Sequence, residues 1–122
     1  MKRRILSVLL ALCLVMGLLP ATALAEDGAV TTAEALTAAV ANGGTVVLGA
    51  DLTQSITISA DAPVILDLNG HKLTNTTEQH TITNNGTLTI QDSVGGGTVD
   101  NVSHARAAIW NDTGANCTIL SG

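Results

Sequence analysis

The distribution of apolar and polar positions changes character twice along the chain. From Ile5 to Leu19 the residues are almost continuously apolar, interrupted only by Ser7 and Gly17. Ala33, Leu36, Ala39 and Val40 then recur at the spacing that places side chains on one face of a helix. After Gly44 the pattern becomes alternation in short segments rich in Val, Ile and Thr, punctuated by Asn-Gly, Gly-Gly or Asp, which predicts strands. The helix is expected over about residues 32–41. Thr31-Thr32-Ala33-Glu34 fits a capping box, with Thr31 accepting from the first turn and Glu34 reaching back, and Asn42-Gly43-Gly44 ends the element. Its apolar face is narrow and rich in alanine, which suits close packing on a flat partner.

The order of the strand segments is the strongest signal. Val46/Leu48, Leu66/Leu68, Leu88/Ile90 and Cys117/Ile119 form one series of alternations, 20, 22 and 29 residues apart. A second series, Ile56/Ile58, Ile82 and Ile109, runs between them, and a weaker third consists of Leu52, Leu73 and either Val94 or Val99. A period in the twenties with two or three short strands per unit predicts a β-solenoid, in which each unit buries its inward residues only by stacking on the next. The competing arrangement is a small antiparallel sandwich or a run of hairpins, with Asn69-Gly70 and Asn85-Gly86 as hairpin turns.

The opening segment reads as an export signal. Lys2-Arg3-Arg4 precede the apolar run, Pro20 ends it, and Ala23-Leu24-Ala25 supplies the small residues that signal peptidase accepts, with cleavage expected before Glu26. The run is shorter than the roughly 20 residues a membrane span needs. Leu12 before Cys13 does not fit a lipoprotein signal. The mean hydropathy of +0.40 comes largely from this segment. Its removal leaves 97 residues, enough for one small domain, with ten acidic residues against Lys72 and Arg106, a net charge of −8. That balance argues against nucleic acid and against an anionic membrane surface as partners. Cys117 is the one cysteine left, so an internal disulfide is excluded; a lone cysteine on a strand reads as a small buried apolar residue.

Ala35-Leu36 to Ala39-Val40, then Asn42-Gly43-Gly44-Thr45-Val46-Val47-Leu48, then Leu66-Asp67-Leu68-Asn69-Gly70-His71-Lys72-Leu73 together resemble the start of pectate-lyase-like right-handed parallel β-helix proteins, above all the surface and adhesin-type members secreted by gut-type Gram-positive bacteria. The likeness covers about Thr31 to Gly122. It implies an all-β right-handed parallel β-helix in which residues 26–44 carry a helix capping the N-terminal end and residues 45–122 supply the first three to four coils. The last recognisable strand, Asn116 to Leu120, stops two residues before Gly122, and an open coil exposes unpaired backbone. The chain is therefore expected to be the N-terminal part of a longer protein; the other reading is a short secreted protein that covers its end by self-association.

Candidate chemistry is sparse. Lyases of this fold use carboxylates holding Ca²⁺ and a basic residue that abstracts a proton, for which Lys72, Arg106, Asp67, Asp92, Asp100 and Asp112 are the available groups. The aspartates fall at different phases of the repeat, so they are expected to be solvated turn residues. His71, His80 and His104 lack metal-ligand spacing. Gly95-Gly96-Gly97-Thr98-Val99-Asp100 resembles a Ca²⁺-binding nonapeptide but occurs once and departs from that pattern at Thr98. Thr81-Ile82-Thr83 and Thr87-Leu88-Thr89 resemble ice-binding ladders, but Asp67 and Thr118 at the expected corresponding positions break the regularity. The sequons at Asn75, Asn85, Asn101, Asn111 and Asn116 follow from abundant Asn and Thr. No catalytic, cofactor or metal residue is assigned. The role expected is a secreted or cell-surface, non-enzymatic adhesin or stalk contacting extracellular polysaccharide or host glycans. The rivals are a polysaccharide lyase or glycoside hydrolase whose site lies on later coils, and a purely structural surface protein.

Exported from a bacterial host, the chain is expected to begin at Glu26; intact mass and N-terminal sequencing check this, and an unprocessed product overturns the export reading.

Overall fold

The computed structural model describes residues 28–103 and 105–122. The expected export signal at 1–25, residues 26–27 and His104 lie outside the described residues. The rest is an all-β parallel fold with one short helix. The helix α1 (Ala33–Asn42) is followed by ten strands: β1 (Gly44–Val47), β2 (Leu52–Thr53), β3 (Ile56–Ile58), β4 (Val64–Asp67), β5 (Lys72–Thr74), β6 (Ile82–Asn84), β7 (Thr87–Gln91), β8 (Thr98–Val99), β9 (Ile109–Asn111) and β10 (Asn116–Ile119). They form three sheets in the orders β1-β4-β7-β10, β2-β5-β8 and β3-β6-β9, so each strand pairs with the one three places later. Every one of these pairings is parallel, which disposes of hairpins as the organising unit.

The turns show how parallel strands follow one another so closely. Asn69 (φ 50) and Gly70 (φ 78) are both left-handed, and His71 N–H donates to the Leu68 carbonyl at 2.8 Å. Two successive positive φ values are those of the tight turn that joins hairpin strands. Here the turn bends the chain from β4 into β5, which lies in a different sheet. Gly86 answers a different demand. A Cβ there would lie 2.4 Å from the Ser59 carbonyl oxygen and 2.8 Å from the Ala60 Cα, because the turn of the preceding unit passes directly over it.

Register places like on like. Val46 pairs with Leu66 and Leu66 with Ile90; Leu52 with Leu73 and Leu73 with Val99; Ile56 with Ile82 and Ile82 with Ile109. These columns supply most of the buried core, together with Leu36 and Val40 from α1. The first series is corrected by one detail. Leu88 pairs with Val64, not Leu66, so β7 sits two residues away from the expected alignment. A shift of two leaves every side chain on the same face, and alternation alone cannot detect it. Val99, not Val94, joins the third series; Val94 lies exposed in the loop. The same shift puts Ile65, not Asp67, beside Thr89, so the threonine ladder is broken at a different residue from the one expected.

α1 packs against β1 and β3, the first strands of two sheets. Its cap is Thr32, whose hydroxyl accepts from Ala35 N–H at 3.1 Å, so the expected box built on Thr31 and Glu34 is displaced by one residue. The displacement brings Leu36 and Val40 inward and leaves Glu34 in solvent in the first turn, where its charge favours the positive end of the helix dipole. Val30 adds a single parallel bridge at Leu48, extending the first sheet by one residue. No helix among the described residues is long and apolar enough to cross a membrane.

Gly86→Ala is expected to lower stability by about 1–3 kcal/mol, since the carbonyl it meets belongs to a neighbouring turn and must shift. Urea unfolding checks this: the midpoint falls while the slope is unchanged, and an unaltered midpoint contradicts the close approach.

Candidate functional site

Three of the four aspartates that the sequence offers as catalytic carboxylates, Asp67, Asp92 and Asp100, are used to clamp neighbouring units together. Asp67, at the end of β4, accepts from Asn69 N–H at 2.9 Å, Ser93 N–H at 3.0 Å, the Ser93 hydroxyl at 3.1 Å and the Gln91 amide at 3.3 Å. Asp92 reaches the other way, accepting from Gly70 N–H at 2.8 Å and also from Gly95 and Gly97 N–H at 3.0 and 2.6 Å. Asp51, which sequence reasoning passed over, accepts from Lys72 N–H at 2.9 Å and approaches His71 Nδ1 at 3.3 Å. Asp100 takes the Thr74 hydroxyl and faces Lys72 Nζ at 3.4 Å. Asp112 turns back on its own loop through Thr113 N–H.

Asp67 therefore departs from expectation. It is only 6% exposed, a buried and fully engaged carboxylate in place of a solvated turn residue. Burial pushes its carboxyl up, but the bonds from Ser93, Asn69 and Gln91 outweigh that and hold it below the ordinary value. The N–H groups of Gly95 and Gly97 lower Asp92, with Gly70 adding to them. Lys72 N–H lowers Asp51, and the Thr74 hydroxyl lowers Asp100. The glycine-rich loop 95–97 thus points its amides at a carboxylate of this chain, which is the opposite of what a Ca²⁺ loop does with its ligands.

These groups do not converge. Among the described residues no three His, Cys, Asp or Glu side chains lie together in a way that would hold a metal ion. Lys72 is tied to Asp100, and the Arg106 Nε donates to the Glu78 carbonyl at 2.6 Å. Cys117 is half-buried and free, and burial pushes its thiol up, so its nucleophilic form is disfavoured. A groove of about 280 Å³ runs between α1 and β3, where Gln54 donates to the Thr37 hydroxyl and keeps its own carbonyl oxygen unpaired.

One surface gathers residues that sequence reasoning left apart. Glu78, Gln79, His80, Thr83 and Arg106 line a shallow depression of about 260 Å³. His80 stacks on Trp110 with ring centroids 4.8 Å apart and planes 9° from parallel. Trp110 is the chain's one aromatic residue of the Phe, Tyr and Trp class, and it stands half exposed on β9 beside Thr83, its register partner. The signal available in the sequence was Trp110 itself, a large ring on a strand whose alternation places it outside. Its partner His80 lies too far away in sequence to be named without the sheet register.

Comparison with family models, with curated proteins and with solved structures finds no match to the chain, and nothing in it identifies a pectate-lyase-like protein.

The four lowered carboxyls make an acid limb predictable. A group whose folded pKa is depressed adds stability that is complete above its unfolded value, about 3.9 for Asp, and lost as pH falls through the folded value. The melting temperature is expected to hold from neutral pH to about pH 5 and to drop below about pH 4. Asp67→Asn costs about 1–3 kcal/mol at neutral pH, because the donors of Ser93 lose their charged acceptor, and it flattens the acid limb. Thermal melts at several pH values check both; an acid limb as steep in the variant contradicts the role given to Asp67.

Proposed function

We propose that the chain forms coils of a right-handed parallel β-helix, with the three sheets as its faces and α1 closing its N-terminal end, and that it is a secreted or cell-surface module contacting extracellular glycans without cleaving them. The observation that carries the architecture is the pairing of each strand with the strand three places later, always parallel, in all three sheets. Such pairing is what a chain produces when it winds repeatedly round one core, and the in-register aliphatic columns are its packing counterpart. The residues that resemble pectate-lyase-like proteins fall on α1, β1, β4 and β5, the elements that begin this stack.

The non-enzymatic reading is supported by the use of the carboxylates. Asp51, Asp67 and Asp92 each accept a backbone N–H from a neighbouring unit, so their lone pairs serve the fold. A catalytic acid–base pair needs groups within reach of one reacting atom. The extracellular placement rests on the export signal read in residues 1–25. A rigid, acidic surface suits a stalk or adhesin and opposes nucleic-acid binding.

The test passes the protein over immobilised polysaccharides and, separately, incubates it with polyuronate and Ca²⁺ while following ultraviolet absorbance. Retention without absorbance is expected. Release of unsaturated sugars makes it a lyase, and neither retention nor product leaves a structural role.

A further inference from the structure

We propose that the surface around Trp110 binds a single neutral sugar ring of a polysaccharide, stacked on the Trp110–His80 pair, with its hydroxyls held by Glu78, Gln79 and Arg106. The inference rests on the glycan-contact reading above and gives that contact a place and a chemistry.

Three features of the site converge. The first is a rigid aromatic platform. Trp110 is 50% exposed and stacked on His80, and the His80 ring is fixed because its Nδ1 accepts from Ala107 N–H at 2.9 Å, which leaves the ring proton on Nε2. A tryptophan offers one of the largest apolar faces available to a protein, and standing half in water forfeits much of the gain from burying it. The second is a set of polar groups of both kinds that line a depression together with His80, the inner ring of the stacked pair. The Arg106 guanidinium is anchored through Nε to the Glu78 carbonyl at 2.6 Å, and the Glu78 carboxylate receives the Ser103 hydroxyl at 3.5 Å. Guanidinium donors, a carboxylate acceptor and the Gln79 amide together match hydroxyls, each of which donates and accepts. The third is size. At about 260 Å³ the depression, which reaches the stacked pair through His80, falls below the roughly 300–1,000 Å³ of drug-sized pockets, which fits one ring and not an extended ligand.

The chemistry selects among flat ligands. A pyranose has an apolar C–H face for the stacked His80–Trp110 rings and a rim of hydroxyls for Glu78, Gln79 and Arg106. A nucleobase would bring phosphates toward a mature chain of net charge −8, and a polyuronate would bring carboxylates, so both meet repulsion that a neutral sugar escapes. A quaternary ammonium ion would be enclosed by several aromatic faces, whereas Trp110 is the sole indole and the cationic Arg106 lines the depression beside its stacking partner His80.

Because the chain contains one Trp and no Tyr or Phe, its intrinsic fluorescence reports this site alone. The experiment titrates the full chain with cello-, manno- and xylo-oligosaccharides and with oligogalacturonate as a charged probe. A saturable change in Trp110 emission with a neutral oligosaccharide is expected, with affinity weakened about tenfold or more in Arg106→Ala and in Glu78→Gln while their thermal melts match the parent. An emission change of equal affinity in both variants, or one produced by oligogalacturonate alone, overturns the proposal. So does an unchanged emission. If emission is unchanged but the protein is still retained on polysaccharide columns, this site is wrong and the glycan-contact reading stands; if both fail, that reading falls as well.

Discussion

The whole structure depends on the hydrogen-bonded, in-register parallel pairing between strands twenty or more residues apart. Two residues at β2 and two at β8 are too few to persist as strands by themselves. They hold because each sits between or beside neighbours of the same direction, and because the column it enters is already apolar. The small inward-facing residues of a single unit could not enclose a core; four stacked rows around Leu66, Leu73, Ile82 and Leu88 can. The scarcity of aromatic side chains belongs to the same constraint, since a narrow interior made of repeating rows has room for branched aliphatics and little else.

Stacking creates a second requirement at the bends, where the backbone leaves one sheet for the next and its polar groups lose their ladder partners. The chain meets it with buried side-chain amides, hydroxyls and carboxylates. Asn84 is fully buried, donates to the Asn111 carbonyl oxygen of its side chain and to the Asn116 backbone carbonyl, and accepts from Gly86 N–H. Asn75 donates to Thr77 and Gln79, and the Thr81 hydroxyl donates to the Asp100 carbonyl. Each would cost about 1–3 kcal/mol if left unpaired. Asp67 and Asp92 perform the same task with charge, each bonding into the other's loop, so that two successive turns lock together. The acidic composition of the chain is thus partly structural.

Function follows from what this arrangement leaves over. With Asp51, Asp67 and Asp92 committed to backbone donors and the inward aliphatic columns committed to the interior, the outward positions of the strands are free to vary. Most carry threonine. Trp110 is the one aromatic ring among them, and the register sets it beside Thr83 and within stacking distance of His80, which lines a depression with Glu78 and Arg106 from two different loops. A rigid sheet holding an aromatic ring at fixed height above a polar rim is an arrangement that a flexible loop would hold less firmly.

The sequence by itself determined the kinds of element and their order: a short helix with an alanine-rich face, then strands in three recurring series, with Ile56, Ile82 and Ile109 in one row and Leu52 and Leu73 in another. Those readings depend on side-chain periodicity, which is local. The tertiary structure decided what periodicity cannot. It set Leu88 against Val64, because a two-residue shift preserves the alternation and only the length and shape of the intervening turns choose between the registers. It moved the helix cap to Thr32, because two adjacent threonines offer the same hydroxyl and the packing of Leu36 and Val40 selects one. It buried Asp67, a residue indistinguishable in sequence from an exposed turn aspartate, because the donors that hold it, Ser93 and Gln91, come from the next unit. It brought His80 to Trp110 for the same reason. Contacts between stacked units join residues far apart in the chain, so their partners are fixed by register, and register is a property of the assembled sheets.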